Sequence, residues 1–134
     1  MAAQARRKRV TELGELQLEV LDRLSKLGQG TVYDVLGEFR KRERPRYTTV
    51  LTVLRSLESR GLVRHSERDR AYVFEPTPAG ASVKRKLLQD LLTRVFDDSP
   101  RELMAALVEV DGVTPEVLED LKELIAAKEA DDGR

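Results

Sequence analysis

The sequence predicts a mainly α-helical fold with one small β-hairpin. Three observations lead there. Apolar residues recur every three or four positions through most of the chain, the pattern of amphipathic helices. Directly after Gly61, LVRHSERDRAYVFEP instead carries two short β-branched and aromatic segments around a polar centre. Beyond Pro78 the helical period returns, and two segments there open with Ser-Pro or Thr-Pro pairs.

Taken in order, the first helix is expected over about Gly14 to Leu27, because Leu13, Leu16, Val20, Leu24 and Leu27 share one face with charges between them. A second begins near Val32, with Thr31 as N-cap and Asp34 three residues on, a capping-box variant ahead of Val35, Leu36 and Phe39. The third occupies Arg46 to Gly61. Its apolar stripe is Val50, Val53, Leu54 and Leu57, and Thr48, Thr49, Thr52, Arg55, Ser56 and Ser59 fall opposite. Leu62-Val63 and Ala71 to Phe74 are the strand candidates, with Ser66 to Arg70 as the tip between them. Helix, helix, helix, hairpin is the order of a winged helix-turn-helix domain, here assigned to residues 11–76.

The third helix invites a nucleic-acid reading. Threonine is a poor helix former, because its hydroxyl offers the backbone competing hydrogen bonds, so helix stability does not explain three threonines near its start. A helix entering the major groove needs a slim contact face, and threonine supplies a hydroxyl for phosphates or base edges and a methyl for the thymine methyl. Thr48, Thr49 and Thr52 are the expected base readers, with Arg55 and Ser56 further along the same face. Arg46, Arg68 and Arg70 suit phosphate anchoring, the last two from the tip of the hairpin.

LGELQLEVLDRL, GTVYDVL, YTTVLTVLRSLESRGLVR and RAYVFEP together resemble the penicillinase-repressor (BlaI/MecI-type) family of bacterial transcriptional regulators, over about Leu13 to Pro76. The most specific piece is Tyr47-Thr48-Thr49-Val50-Leu51, followed by Leu54, Leu57 and Gly61-Leu62-Val63. One departure is Ser25, where family members commonly carry a Trp near the end of the first helix. The resemblance implies a homodimeric repressor on a dyad operator with TACA/TGTA-like half-sites. It also implies relief by an upstream signal. In some relatives that signal is a regulatory protease that cleaves the C-terminal domain, in a region that aligns near Ala106 and Leu107; the Asn-Phe pair seen there in those relatives is missing from this chain.

Residues 77–134 are expected to form a helical dimerisation domain of three helices, Ala79 to Phe96, Pro100 to Val110 and Pro115 to about Ala127. Ser99 and Thr114 cap the second and third, each followed by Pro at the first helical position. Apolar stripes run through Leu88, Leu91, Leu92, Val95 and Phe96, then Leu103 and Leu107, then Leu118, Leu121, Leu124 and Ile125. So short a segment buries too little surface to stand alone, and a second copy would cover the stripes. The family's C-terminal part is its dimer module, in agreement.

Composition fits a globular chain of 134 residues, 40% hydrophobic and 36% charged. Its net charge of zero hides a segregation: residues 1–74 hold 16 Lys/Arg against 10 Asp/Glu, and residues 75–134 hold 8 against 14. Affinity for an anion follows the local basic face, so the overall neutrality does not argue against DNA. Residues 1–10 are expected to be a basic disordered tail. With no apolar core behind that cluster and no long apolar run, neither a secretory signal nor a membrane span is expected, and the chain is placed in the cytoplasm. The absence of cysteine removes disulfides, thiol sensing and the cysteine-based copper sensing of the CopY-like branch. His65 is the only histidine, so no metal site is expected, nor any cofactor. No nucleophile-base pair or glycine-rich phosphate loop is present to suggest an enzyme. Two other readings stay open: a MarR- or PadR-type regulator released by a small molecule, since Pro76-Thr77-Pro78-Ala79-Gly80 resembles the exit from their wing, and a winged-helix module that binds protein.

Overall fold

The structure, a computed structural model, describes residues 13–133, so the basic segment at residues 1–10 lies outside the described residues. It divides into two units, the first reaching Gln89 and the second starting at Asp90. The first unit contains α1 (Glu15–Leu27), α2 (Val32–Gly37), a 3-10 turn (Lys41–Glu43), α3 (Tyr47–Ser59), β1 (Val63–Arg68), β2 (Ala71–Pro76) and α4 (Pro78–Ala81). Helix α5 (Val83–Val95) begins in it, and α6 (Pro100–Leu107) and α7 (Pro115–Asp132) belong to the second.

Local chemistry sets the boundaries. Helix α1 stops at Gly28, whose φ of 84° favours a residue without Cβ. Thr31 caps α2: its Oγ1 accepts from Asp34 N at 3.2 Å, while Asp34 Oδ2 accepts from Thr31 N at 2.9 Å. The periodic stripes then meet in one core. Val20 and Leu24 of α1, Val35 of α2, Val50, Leu54 and Leu57 of α3, and Val63 and Phe74 of the hairpin are all fully buried. Val53, expected in that stripe, sits half-buried at its edge. Gly30 adds an isolated antiparallel bridge to β2 by exchanging hydrogen bonds with Phe74, 2.9 Å from Gly30 N to Phe74 O and 2.8 Å in return.

The hairpin differs from expectation in its length. The strands pair from Val63↔Pro76 to Arg68↔Ala71, so the tip is only Asp69-Arg70, both left-handed at φ 51° and 68°. A two-residue turn of that hand matches strand twist, and aspartate tolerates the conformation. Ser66 and Glu67, expected in the tip, are drawn into the ladder opposite Val73 and Tyr72.

The helix expected over Ala79 to Phe96 is two, α4 and α5, broken at Ser82. Its hydroxyl donates back to the Pro78 carbonyl at 2.8 Å, a side-chain bond that competes with helix continuation. Gly80 and Val83, past the domain boundary expected after Pro76, are buried against the first unit's core. Thr77 fastens this stretch: Oγ1 donates to Gly61 O at 2.6 Å and N donates to Leu62 O at 3.0 Å. Lys84 Nζ lies 2.6 Å from Asp22 Oδ1 of α1, and that hydrogen-bonded ion pair holds the Asp22 carboxyl below the ordinary range, with Lys26 assisting and burial opposing.

In the second unit Ser99 and Thr114 cap α6 and α7 as their Ser-Pro and Thr-Pro pairs predict, accepting from Glu102 N at 3.1 Å and Val117 N at 3.3 Å. Helix α6 ends at Leu107 rather than Val110, with a turn through Gly112 at φ 99°. Helix α7 runs past Ala127 to Asp132, since Lys128, Glu129 and Ala130 are good helix formers and Lys128 reaches Asp132 at 3.3 Å. Among the described residues, none from Asp90 onward is buried.

Candidate nucleic-acid interface

Helix α3 buries one side in the core and presents Thr48, Thr49, Thr52 and Arg55 to solvent on the other. Its start is electrostatically bare. Arg46 is the N-cap, no side chain caps the helix, and its first turn contains no acid. Uncapped first-turn N–H groups and the positive end of the helix dipole both favour an anion, and Arg46 adds a full positive charge there.

Two predicted contact residues turn out to be engaged within the protein. Ser56 is half-buried and its Oγ accepts from Gln17 Nε2 of α1 at 2.9 Å, so it braces α3 against α1 instead of joining the exposed face. Helical period does not set it apart: seven residues after Thr49, Ser56 returns to within about 20° of the same face, and it is α1 lying alongside that engages it. Thr52 stays exposed, but its Oγ1 donates to Thr48 O at 2.9 Å. With its proton used in that way, Thr52 offers outward a methyl group and an acceptor oxygen.

The hairpin supplies Arg68 at the end of β1 and Arg70 in the turn, both exposed. On the strand face directed at α3, His65 Nδ1 lies 2.7 and 2.8 Å from the two Glu58 carboxylate oxygens, and its ring leans on Tyr72 and Phe74. A carboxylate can only accept, so the proton sits on Nδ1 and His65 donates. This bond ties the wing to the end of α3. No His/Cys/Asp/Glu cluster among the described residues could hold a metal.

Sequence reasoning passed over the connection between α2 and α3. Arg40, Lys41, Arg42 and Arg44 are all exposed there, next to Arg46. Arg44 Nη2 donates to Phe39 O at 3.3 Å, whereas Lys41 and Arg42 extend the positive surface at the start of α3. The charge run KRERPR was the available signal. The aromatic pair of Tyr33 on α2 and Tyr47 on α3, with centroids 4.9 Å apart, was missed too.

A three-helix head, an exposed threonine-arginine face on its third helix and a hairpin with an arginine tip define a winged-helix DNA-binding regulator. The chain belongs to the penicillinase repressor family, whose model matches residues 13–127. It is similar to the transcriptional regulator BlaI of Mycobacterium tuberculosis (strain ATCC 25618 / H37Rv), at 33% identity over 127 residues covering 93% of this chain and 91% of that protein. Among solved structures it is similar to hsRosR-S4 in its complex structure, with a TM-score of 0.57 and 20% identity over 86% of this chain and 95% of that one. It is also similar to a MarR family transcriptional regulator from Silicibacter pomeroyi, with a TM-score of 0.53 and 20% identity over 90% of this chain and 73% of that one. At such identities the two structures speak for the fold. Its family and relatives are transcriptional regulators, not enzymes, and no helix among the described residues is long and apolar enough to cross a membrane.

Proposed function

We propose that this regulator is a cytoplasmic repressor that binds a dyad operator of TACA/TGTA-like half-sites as a homodimer, one reading head to each half-site. The observation that carries the reading is the bare, slim face of α3. Thr48 and Thr49 are the base readers, Thr52 contacts through its methyl or as an acceptor, and Arg55 extends the face. Arg46, Arg68 and Arg70 anchor phosphates on either side. Ser56 is left out because it is half-buried and its Oγ is turned to Gln17 of α1, from which it accepts.

Support for the homodimer comes from the second unit. Leu91, Val95, Leu107, Leu118, Leu124 and Ile125 are exposed, as is Leu88 just before that unit begins, and Leu92, Phe96, Leu103 and Leu121 are only half-buried. An apolar surface on that scale, on a unit with no buried residue, is what a partner covers. Two linked heads make the second half-site contact intramolecular. Selection from randomised duplexes tests this reading. Enrichment of inverted TACA/TGTA-like repeats, with centres roughly one helical turn or 34 Å apart, supports it; enrichment of unpaired sites, or of nothing, contradicts it.

For relief of repression the reading retains proteolysis by a regulatory protease. The end of α6 at Ala106-Leu107 leads into an exposed turn, the kind of segment proteases reach. Target genes induced while the chain stays intact would contradict this. A groove in the first unit favours a second route. It has a volume of about 460 Å³, an apolar floor of Leu18, Leu21, Val83 and Leu87, and a charged rim that includes Asp22, Lys26 and Lys84, a size suited to a small amphipathic molecule. Ser25, small where relatives commonly carry Trp, lines it too.

A further inference from the structure

Phe39 and Phe74, the two phenylalanines of the first unit, are buried, yet Tyr33 is 73% exposed. A solvent-facing ring on a helix whose other large side chains, Val32, Val35 and Leu36, are buried contributes little to the core. Its one aromatic contact among the described residues is Tyr47, the first residue of α3, at 4.9 Å and an interplanar angle of 46°. Tyr33 therefore stands at the edge of the α3 surface, held in place by a residue of α3 itself.

In helix-turn-helix docking the helix before the reader crosses the sugar-phosphate backbone, and neutral donors such as tyrosine hydroxyls are among the groups that meet phosphates there. We propose that Tyr33 is a positioning residue whose hydroxyl donates to a backbone phosphate at the margin of the half-site, fixing how far α3 enters the groove. The Tyr47 ring restricts Tyr33 before DNA arrives, so less side-chain freedom is lost on binding. Tyr33 complements the arginines by adding a directed hydrogen bond without a charge, and hence without displacing a counterion. The proposal rests on the DNA-binding reading given above.

The test compares the full-length wild-type chain with Tyr33→Phe and Tyr33→Ala, titrated against operator and scrambled duplexes at several salt concentrations. Tyr33→Phe keeps the ring contact and removes only the donor. Both variants are expected to lose affinity by on the order of tenfold, the scale of a hydrogen bond to a charged group, with similar losses on the two duplexes and an unchanged salt slope. Wild-type affinity in Tyr33→Phe would overturn the proposal and leave Tyr33 a purely packing role. A loss confined to the operator would overturn it in favour of base reading. If the wild-type chain binds neither duplex, the DNA-binding reading itself fails, which is distinguishable from either result.

Discussion

At the scale of single residues, the hydroxyl groups of α3 divide by what already holds them. Thr49 is exposed and its hydroxyl has no partner among the described residues, Thr52 donates to the backbone of its own helix, and Ser56 is held by Gln17. Thr49→Ala should therefore narrow discrimination between operator and random DNA by about 1–3 kcal/mol, the worth of a good base contact, in competition titrations. Ser56→Ala should leave that discrimination unchanged and lower only stability, since it removes a partner from Gln17. Equal effects of the two substitutions would place Ser56 back among the readers. The exposure of Thr48, Thr49 and Arg55 was legible in the sequence because helical period alone sorts those positions. Ser56 was illegible because its contact with Gln17 depends on which helix packs beside α3, and Thr52's bond depends on its rotamer.

At the scale of elements, the connection from wing to α5 is held by close approach and by charge. A Cβ on Gly80 would collide with the Leu62 carbonyl, so Gly80→Ala should destabilise the first unit by about 2–3 kcal/mol in urea unfolding. Nothing in the string Pro76 to Gly80 announces that contact, since it forms only when α4 folds back on the start of β1. Asp22 joins α5 to α1 through Lys84, and its carboxyl is held below the ordinary range. A depressed carboxyl stabilises the fold above its unfolded pKa of about 4 and loses that contribution as pH falls through the depressed value. Asp22→Asn should thus lower stability at pH 7, by about 1 kcal/mol or less because Lys84 is 77% exposed, and make progressively less difference as pH falls through the depressed value. A deficit that persists in acid would assign Asp22 a role other than its charge. In the wing, Arg70→Gly suits the left-handed turn while removing the charge. It should weaken binding to all duplexes and flatten the salt slope by about one unit for each phosphate no longer neutralised.

At the scale of the whole molecule, helix period and capping residues located most elements, because the signals for α1, α2, α3, α6 and α7 are local. Their ends and the division of the chain were less legible, since they depend on Ser82, Gly80 and the return of residues 77–89 to the first unit's core. The apolar stripes of the second unit were readable as stripes, and their exposure in a single chain is the reason to expect a second copy. Leu124 is 67% exposed, so Leu124→Asp should be harmless to a monomer. In a dimer built on this face it should shift sedimentation toward the monomer and lower dyad affinity by about a hundredfold or more, with a much smaller decrease on a single half-site. The most direct measurement is fluorescence anisotropy of three labelled duplexes of equal length, carrying the dyad, one half-site or a scrambled sequence, titrated at several salt concentrations. The account predicts salt-dependent binding in that order of affinity, with two chains on the dyad. Equal affinity for the dyad and the scrambled duplex, or one chain on the dyad, would contradict it.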